Sequence, residues 1–231
     1  MEPMIAIDSS EWIALGFFLA VWLAYNLVSD HTRLSKRGLT HAMNIERERW
    51  MRVMLERDLR MIDTAILTGL QQGTAFFASA CIFAIGGCFA LLGSADMIAT
   101  IAGDLPLQPG LNKPLVEMKL LGLVVIFAYA FFKFGWAYRL FNYCTILVGA
   151  VPMRSEAQHD RAGAERAMRK AARLNQVAAS HFNAGLRAIF FGLAYLGWFL
   201  GPVFLVVSTA FVVLILAHRQ YLSPARKVLV E

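Results

Sequence analysis

The chain has 231 residues, of which 58% are hydrophobic and only 16% are charged, and its mean hydropathy is +0.55. These values predict an integral membrane protein rather than a soluble domain. Lys and Arg (22) outnumber Asp and Glu (16), but the basic residues avoid the long apolar runs and concentrate in two segments between them. That distribution is typical of membrane topology and argues against a nucleic-acid partner.

Four apolar runs are long enough to cross a bilayer, which needs roughly 20 residues per helix. The predicted spans cover residues 12–28, 73–94, 120–140 and 188–217, the last with a kink at Pro202. No Lys or Arg precedes the first run, so no cleavable signal peptide is predicted. We therefore expect an all-α protein, 1–231, with one membrane domain of four transmembrane helices.

A polar helix is predicted at residues 40–63, before the second span. Met43, Trp50, Met54 and Met61 recur on one of its faces, which indicates packing against a neighbouring helix. An alternative is that this face docks on a partner or on the membrane surface. Because no helix breaker follows, the helix is expected to continue into the second span.

A second polar helix is predicted at residues 154–185. It carries Arg166, Lys170 and Arg173 on one face. Such a row is either a solvated face or a contact for anionic headgroups or an acidic partner.

The distribution of charge predicts the orientation of the chain. The two stretches between predicted spans that contain these polar helices, residues 29–72 and 141–187, hold fifteen Lys and Arg, which places them in the cytosol by the positive-inside rule. The protein is then expected in a bacterial inner membrane with a periplasmic N-terminus and an external, turn-rich loop at residues 94–114. Four spans also place the basic C-terminal tail outside, which is the weakest feature of this topology.

Pairs of small residues predict helix contacts inside the membrane. Two GxxxG pairs, Gly69 with Gly73 and Gly197 with Gly201, allow two backbones to approach closely and indicate self-association. The three cysteines lie inside apolar runs without a CxxC spacing and are interpreted as small packing residues.

Three blocks of the sequence resemble a known family. They are ERDLRMIDTAILTGLQQGTAFFASACIFAIGG at 56–87, KFGWAYRLFNYCTILVGAVP at 133–152 and HFNAGLRAIFFGLAYLGWF at 181–199. The chain is similar there to bacterial and plant integral membrane proteins grouped as a domain of unknown function. The resemblance implies a four-span helical protein and brings no activity, cofactor or catalytic residue.

The third apolar run is unusual because it contains cations. On a helical projection Tyr129, Lys133, Trp136, Arg139 and Tyr143 form one face, with aromatic rings between the two charges. A cation within a membrane span suggests a function, because removing its charge from water costs much free energy. This face is therefore expected to look into a bundle, an oligomer interior or water.

Four interpretations of this face remain open. Arg139 could mark the cytosolic boundary of the span while Lys133 snorkels or pairs with an acid. The cations could line a route for an anionic solute, assembled by oligomerisation. They could bind a protein partner or a lipid headgroup, as in a scaffold or assembly factor. An enzyme or cofactor role is the fourth.

Polar residues at the ends of the spans predict a collar at the cytosolic face. Asp63 precedes the second span, Arg139 closes the third, and Arg187 opens the fourth. Because an acid offsets the cost of a buried guanidinium, Asp63 is predicted to pair with Arg139. The collar is either a set of mutual salt bridges or a vestibule for a solute.

Catalytic signatures are missing from the sequence. No Asp, Glu or His lies within the four apolar runs as delimited, and HExxH, phosphate-loop and nucleophile-elbow motifs are absent. We expect no enzyme activity, no cofactor and no metal site. The predicted function is a homo-oligomeric channel or transporter-like protein for an anionic solute. The alternative is a scaffold that binds anionic lipid or a protein partner through its cytosolic helices.

Overall fold

A computed structural model describes residues 8–103 and 112–230 of the chain, and this part contains helices and no strand. The α-helices are α1 (Ser9–His31), α2 (Leu39–Leu55), α3 (Met61–Leu92), α4 (Ala95–Gly103), α5 (Lys113–Gly149), α6 (Arg154–Ala157), α7 (Arg161–Tyr195), α8 (Pro202–Ala217) and α9 (Pro224–Val230). Short 3-10 turns at Arg33–Arg37 and Leu196–Leu200 and a π turn at His218–Leu222 join some of them. The all-α prediction therefore holds for the described residues.

Five segments, not four, are long and apolar enough to cross a membrane. They are Ser9–Asp30, Met61–Leu92, Lys113–Gly149, Arg161–Leu200 and Pro202–Leu229. The four-span prediction is thus not confirmed. The difference lies in the predicted span 188–217, which the structure divides between the end of α7 and the whole of α8.

A helical hairpin at Gly201 produces this division. Gly201 has φ 133°, a conformation that disfavours any side chain, and Pro202 then occupies the first turn of α8. Ser208 Oγ donates to the carbonyl of Ala194 at 2.6 Å, so α8 packs back against α7. A Cβ at Gly197 would lie 2.9 Å from the carbonyl oxygen of Phe204. Gly197 and Gly201 therefore serve an intrachain turn, and their part in self-association stays a prediction.

The long helices α5 and α7 run antiparallel and form the centre of the bundle. At one end the thiol of Cys144 lies 3.5 Å from the carbonyl of Ala171, and further along Phe134 fills the space beside Gly185. An added Cβ at Gly185 would lie only 2.8 Å from that ring, so glycine is needed for this approach. α3 packs on the other side of α5, where Phe77 stacks on Phe134.

α1 and α8 lie side by side on the remaining flank of α7. Phe18 of α1 makes edge contacts with Phe191 and Tyr195 of α7, and Leu205 and Leu216 of α8 belong to the same buried cluster. Because Phe191 and Tyr195 are one helical turn apart, a single face of α7 contacts α1. The fifth apolar helix is thus part of the core.

The polar helix α2 is shorter than predicted and does not continue into α3. It ends at Leu55, and the chain turns at residues 56–60 before α3 begins at Met61. Met54 of the predicted face is buried and Trp50 is half-buried, whereas Met43 and Met61 are exposed. In the predicted external loop 94–114, residues 95–103 are helical and residues 104–111 lie outside the described part.

Candidate functional site

The side chains of the predicted α5 face point in two directions. Lys133 is half-buried, and its ammonium lies 5.3 Å from the centre of the Tyr129 ring. Arg139 is exposed: its Nε donates to Tyr143 Oη at 2.6 Å, and its guanidinium lies 5.5 Å from that ring. Trp136 is 48% exposed and belongs to the outward side. Of the two cations, only Lys133 therefore turns toward a neighbouring helix.

Lys133 opens into a cleft between α1, α5 and α7. This space, which we name the Lys133 cleft, has a volume of about 400 Å³. Its polar lining consists of Asn26, Asp30, Lys133, Ser180, His181 and Arg187, and its apolar lining of Leu23, Tyr129 and Ala184. The structure therefore brings together two of the predicted residues, Lys133 and Arg187, with polar groups from α1.

Arg187 is held rigidly at the edge of this cleft. Its Nη2 lies 2.7 Å from Asp30 Oδ2, and its Nε donates to Asn26 Oδ1 at 2.8 Å. Asn26 in turn donates from Nδ2 to the carbonyl of Trp22 at 3.0 Å. The Arg187 side chain is only 12% exposed, so these contacts offset much of the cost of removing its charge from water.

The charges of the Lys133 cleft do not cancel. Asp30 is the carboxylate that lines it, and Asp30 pairs with Arg187. Lys133 makes no ion pair with a described residue, and its cation–π contact with Tyr129 leaves donor capacity on the ammonium. The cleft thus carries an excess positive charge and unused hydrogen-bond donors, which is the arrangement that attracts an anionic group.

The match to a protein family covers nearly the whole chain. Residues 13–225 match the family described as "Protein of unknown function, DUF599". The chain belongs to the DUF599 family. The resemblance stated from the sequence is therefore confirmed. No curated protein and no solved structure matches the chain.

In this DUF599 chain Asp63 does not pair with Arg139. Asp63 is fully buried, and its Oδ1 accepts hydrogen bonds from Arg57 Nη1 at 2.6 Å and from Trp50 Nε1 at 2.7 Å. The predicted pair is wrong because the turn between α2 and α3 brings Arg57 back over the first turn of α3. Asp63 thus connects α2 to α3 and lines neither the Lys133 cleft nor a solute path with Arg139.

Arg60 fixes the opposite side of the same turn. Its guanidinium donates to the carbonyls of Val148, Val151 and Pro152, at distances from 2.5 to 3.2 Å, and so caps the end of α5. Burial lowers the pKa of Arg60, and the nearby Asp63 and Glu156 carboxylates oppose that shift. The helix carbonyls therefore compensate a partly desolvated cation.

The predicted collar separates into two groups with different partners. Glu56 accepts from Arg161 at 2.6 Å, and this contact lowers the pKa of Glu56. Asp58 lies 3.3 Å from Arg154. These surface pairs join the α2–α3 turn to α6 and α7, whereas Arg187 belongs to the Lys133 cleft. The acids before α3 therefore do not line the cleft.

Sequence reasoning missed a second buried ion pair. Lys119 is fully buried, and its Nζ lies 3.4 Å from Glu11 Oε1 and donates to the carbonyl of Trp198 at 2.8 Å. Trp198 Nε1 also donates to the Glu11 carboxylate. Glu11 lies one residue before the first apolar run, so hydropathy leaves it outside the predicted span. The available signal was the opposite charge of Glu11 and Lys119 at the starts of two adjacent parallel helices.

The described residues contain no group of three His, Cys, Asp or Glu side chains positioned to hold a metal ion. Cys81, Cys88 and Cys144 are buried and outside any disulfide. Their surroundings are those of packing residues. Among the described residues, the Lys133 cleft therefore carries the functional argument for this DUF599 protein.

Proposed function

We propose that this protein binds an anionic solute in the Lys133 cleft and acts as a channel or transporter-like protein for it. The observation that carries the proposal is the convergence of Lys133 and Arg187, from two different helices, on one cleft that contains a single acid. Fixed positive charge beside an aromatic wall attracts anions and repels cations.

The depth of the cleft supports this role. Lys119 and Glu11 mark one end of the bundle, and Lys133 lies fourteen residues further along α5, or about 21 Å at the usual helical rise. A bilayer core is about 30 Å thick, so Lys133 would lie in the half of the membrane nearer to α2. A solute from that side reaches the cleft without crossing the whole core.

The test is anion flux into proteoliposomes. Lys133→Gln removes the free cation of the cleft and should abolish flux. Arg139→Gln removes an equal charge from the same helix but outside the cleft, and should leave flux unchanged. Equal loss in both variants would mean that the bulk charge of α5, not the cleft, matters. No flux in the wild-type protein would contradict the transport proposal.

The orientation is also a proposal. Five crossings put the C-terminus on the side opposite to the N-terminus, so Arg219, Arg226 and Lys227 join the fifteen cations of residues 29–72 and 141–187. This agrees better with the positive-inside rule than four crossings do. We expect a periplasmic N-terminus and a cytosolic C-terminus in a bacterial inner membrane. The test introduces a cysteine at Ser9 or at Ser223 and exposes cells with a permeabilised outer membrane and an intact inner membrane to an impermeant maleimide. The reagent should modify Ser9→Cys and not Ser223→Cys.

A scaffold role is the second candidate function. Its specific support is the row of exposed basic residues Arg166, Lys170 and Arg173 on α7, outside the Lys133 cleft. This row would contact anionic headgroups or an acidic partner. A stoichiometric partner that co-purifies with the wild type and is lost from Lys170→Glu, together with no anion flux, would favour the scaffold over the transporter.

Self-association through α3 completes the proposal. Gly69 and Gly73 are exposed, and apart from chain neighbours and the backbone of the same helix no described atom lies within 4 Å of a Cβ built on either residue. Close approach of a second copy is thus sterically open there. Gly73→Leu should weaken cross-linking between copies in membranes, whereas Gly197→Leu should disturb the hairpin instead. Unchanged cross-linking in Gly73→Leu would refute this interface.

A further inference from the structure

We infer that a second anion site lies behind Arg187, in a pocket that takes a small oxyanion. The pocket is formed by the ends of α1 and α8, the start of α2 and the middle of α7, and its volume is about 140 Å³. We name it the Arg219 pocket. The inference rests on the proposed anion-handling role, because Arg187 lines both this pocket and the Lys133 cleft.

The polar lining of the Arg219 pocket consists mainly of donors. Two guanidinium groups, three hydroxyl groups and two amides line it: Arg187, Arg219, Tyr25, Ser29, Thr40, Asn183 and Gln220. None of its described lining residues carries a carboxylate. Asp30 contacts Arg187 from the direction of the Lys133 cleft, which leaves the second cation, Arg219, without an acidic partner among the described residues.

Two buried hydroxyl groups near the pocket are only weakly bonded. Ser29 Oγ and Tyr221 Oη are inaccessible and interact with each other, but neither makes a hydrogen bond of normal geometry within the described part of the chain. Tyr221 lies close enough to Ser29 and Arg187 to interact with both. A buried hydroxyl group without a well-formed hydrogen bond gains from a better partner, which a bound molecule can supply. An oxyanion accepts hydrogen bonds from several directions and would satisfy both.

The size of the pocket defines the ligand class. A cavity of this order holds a molecule of several non-hydrogen atoms, roughly the size of benzene. Phosphate, sulfate or a small carboxylate therefore fits, whereas a whole lipid does not. The Arg219 guanidinium lies over the Phe190 ring at 5.1 Å, and a guanidinium can donate two parallel hydrogen bonds to one oxyanion.

The Arg187–Asp30 pair separates the two spaces. An anion that leaves the Lys133 cleft would meet Arg187 next and then the donors of the Arg219 pocket. Both spaces lie toward the same end of the bundle, since Arg187, Asp30 and Gln220 are all near the α2 side. We therefore assign them as neighbouring binding positions for one ligand.

The experiment measures anion binding by the purified full chain in a non-ionic detergent. Inorganic phosphate is titrated at constant ionic strength, and the shift of the thermal unfolding midpoint gives the apparent Kd. A parallel titration with short-chain phosphatidylglycerol separates a free oxyanion from a lipid phosphate. We expect saturable stabilisation by inorganic phosphate.

Arg219→Gln should raise the apparent Kd by about tenfold or more, because one charge-assisted contact is lost. Lys227→Gln removes the same charge from the same C-terminal segment, where its side chain is exposed, and should bind as the wild type does. The double variant Ser29→Ala/Tyr221→Phe leaves every charge in place and should also weaken binding. It keeps the inference testable if Arg219→Gln does not fold.

Lys133→Gln separates this inference from the proposed function. If it abolishes flux but leaves phosphate binding intact, both the cleft and the pocket are supported. If phosphate binding is as tight in Arg219→Gln and in the double variant as in the wild type, the pocket is not the site, whatever the flux. Saturation by the lipid alone, or no saturation by either probe, would equally overturn the small-oxyanion assignment.

Discussion

Replacement of Asp63 by Ala tests whether the turn between α2 and α3 determines the stability of the bundle. The carboxylate is fully buried and accepts from Arg57 and Trp50 at 2.6 and 2.7 Å. Removing it leaves both donors without their acceptor. Because the Trp50 side chain is half-buried, its indole N–H cannot simply rotate into solvent and bond to water instead.

The expected loss of stability follows from these contacts. Breaking a buried ion pair by deleting one partner costs about 3–5 kcal/mol. The Arg57 side chain is 33% exposed and regains part of its hydration, so the estimate falls to about 2–4 kcal/mol. Asp63 also lies in the first turn of α3, where a negative charge interacts favourably with the helix dipole by roughly 0.5 kcal/mol.

The assay is reversible unfolding in mixed micelles, followed by tryptophan fluorescence and by circular dichroism. Asp58→Ala is the matched control, since Asp58 lies five residues earlier, is 75% exposed and makes only a 3.3 Å surface pair with Arg154. Asp63→Asn keeps an acceptor for Trp50 without the charge, so its free energy of unfolding should lie between those of Asp63→Ala and Asp58→Ala. If Asp63→Ala and Asp58→Ala differ by less than about 0.5 kcal/mol, the assigned role of Asp63 is incorrect.

Two further predictions concern the packing of the bundle. Glu11→Gln and Lys119→Met should each destabilise the folded protein by about 2–4 kcal/mol. The double variant should lose less stability than the sum of the two, because it leaves neither charge uncompensated, and additivity in the double-mutant cycle would contradict a direct interaction. Gly185→Ala should lower the free energy of unfolding by about 1–3 kcal/mol because the new Cβ meets the Phe134 ring. Gly135→Ala, whose Cβ would meet no other part of the described fold within 4 Å, should be neutral or slightly stabilising when both variants are measured by thermal unfolding.

Hydropathy located most of the helices that are long and apolar enough to cross a membrane, and it failed where polar residues face the interior. The predicted fourth span began at Ala188 because His181, Asn183 and Arg187 interrupt the apolar run. In the structure these residues lie within one continuous helix and point toward α1, α2 or the clefts, so α7 reaches the bundle earlier than the pattern indicates. The remaining apolar residues then form a separate helix.

The hairpin itself could not be located from hydropathy alone. Gly201 and Pro202 were interpreted as a kink, since a Pro within an apolar run commonly bends a helix. The decisive quantity is the φ of Gly201, which only the folded chain defines. A kink and a reversal have the same local composition, and the packing of α8 against α1 distinguishes them.

The candidate site was predicted in part. The cations of the third run singled out Lys133, and the predicted collar singled out Arg187; the structure places both in one cleft, but a helical projection could not show that Arg139 faces outward. The partner of Asp63 depends on the turn at residues 56–60, whose shape has no signature in the sequence. The Arg219 pocket combines residues from four helices, so no local pattern could reveal it.

The length of α5 predicts two physical environments along the bundle. Its 37 residues span about 55 Å, whereas the bilayer core is about 30 Å thick. We expect most of the surplus at the α2 end, where Met51, Met54, Cys144 and Met168 belong to one buried cluster. In that protruding bundle the hydrophobic effect stabilises the fold, but among lipid tails only close packing and polar contacts do so. Urea should therefore melt the protruding part while the helices in the lipid remain intact.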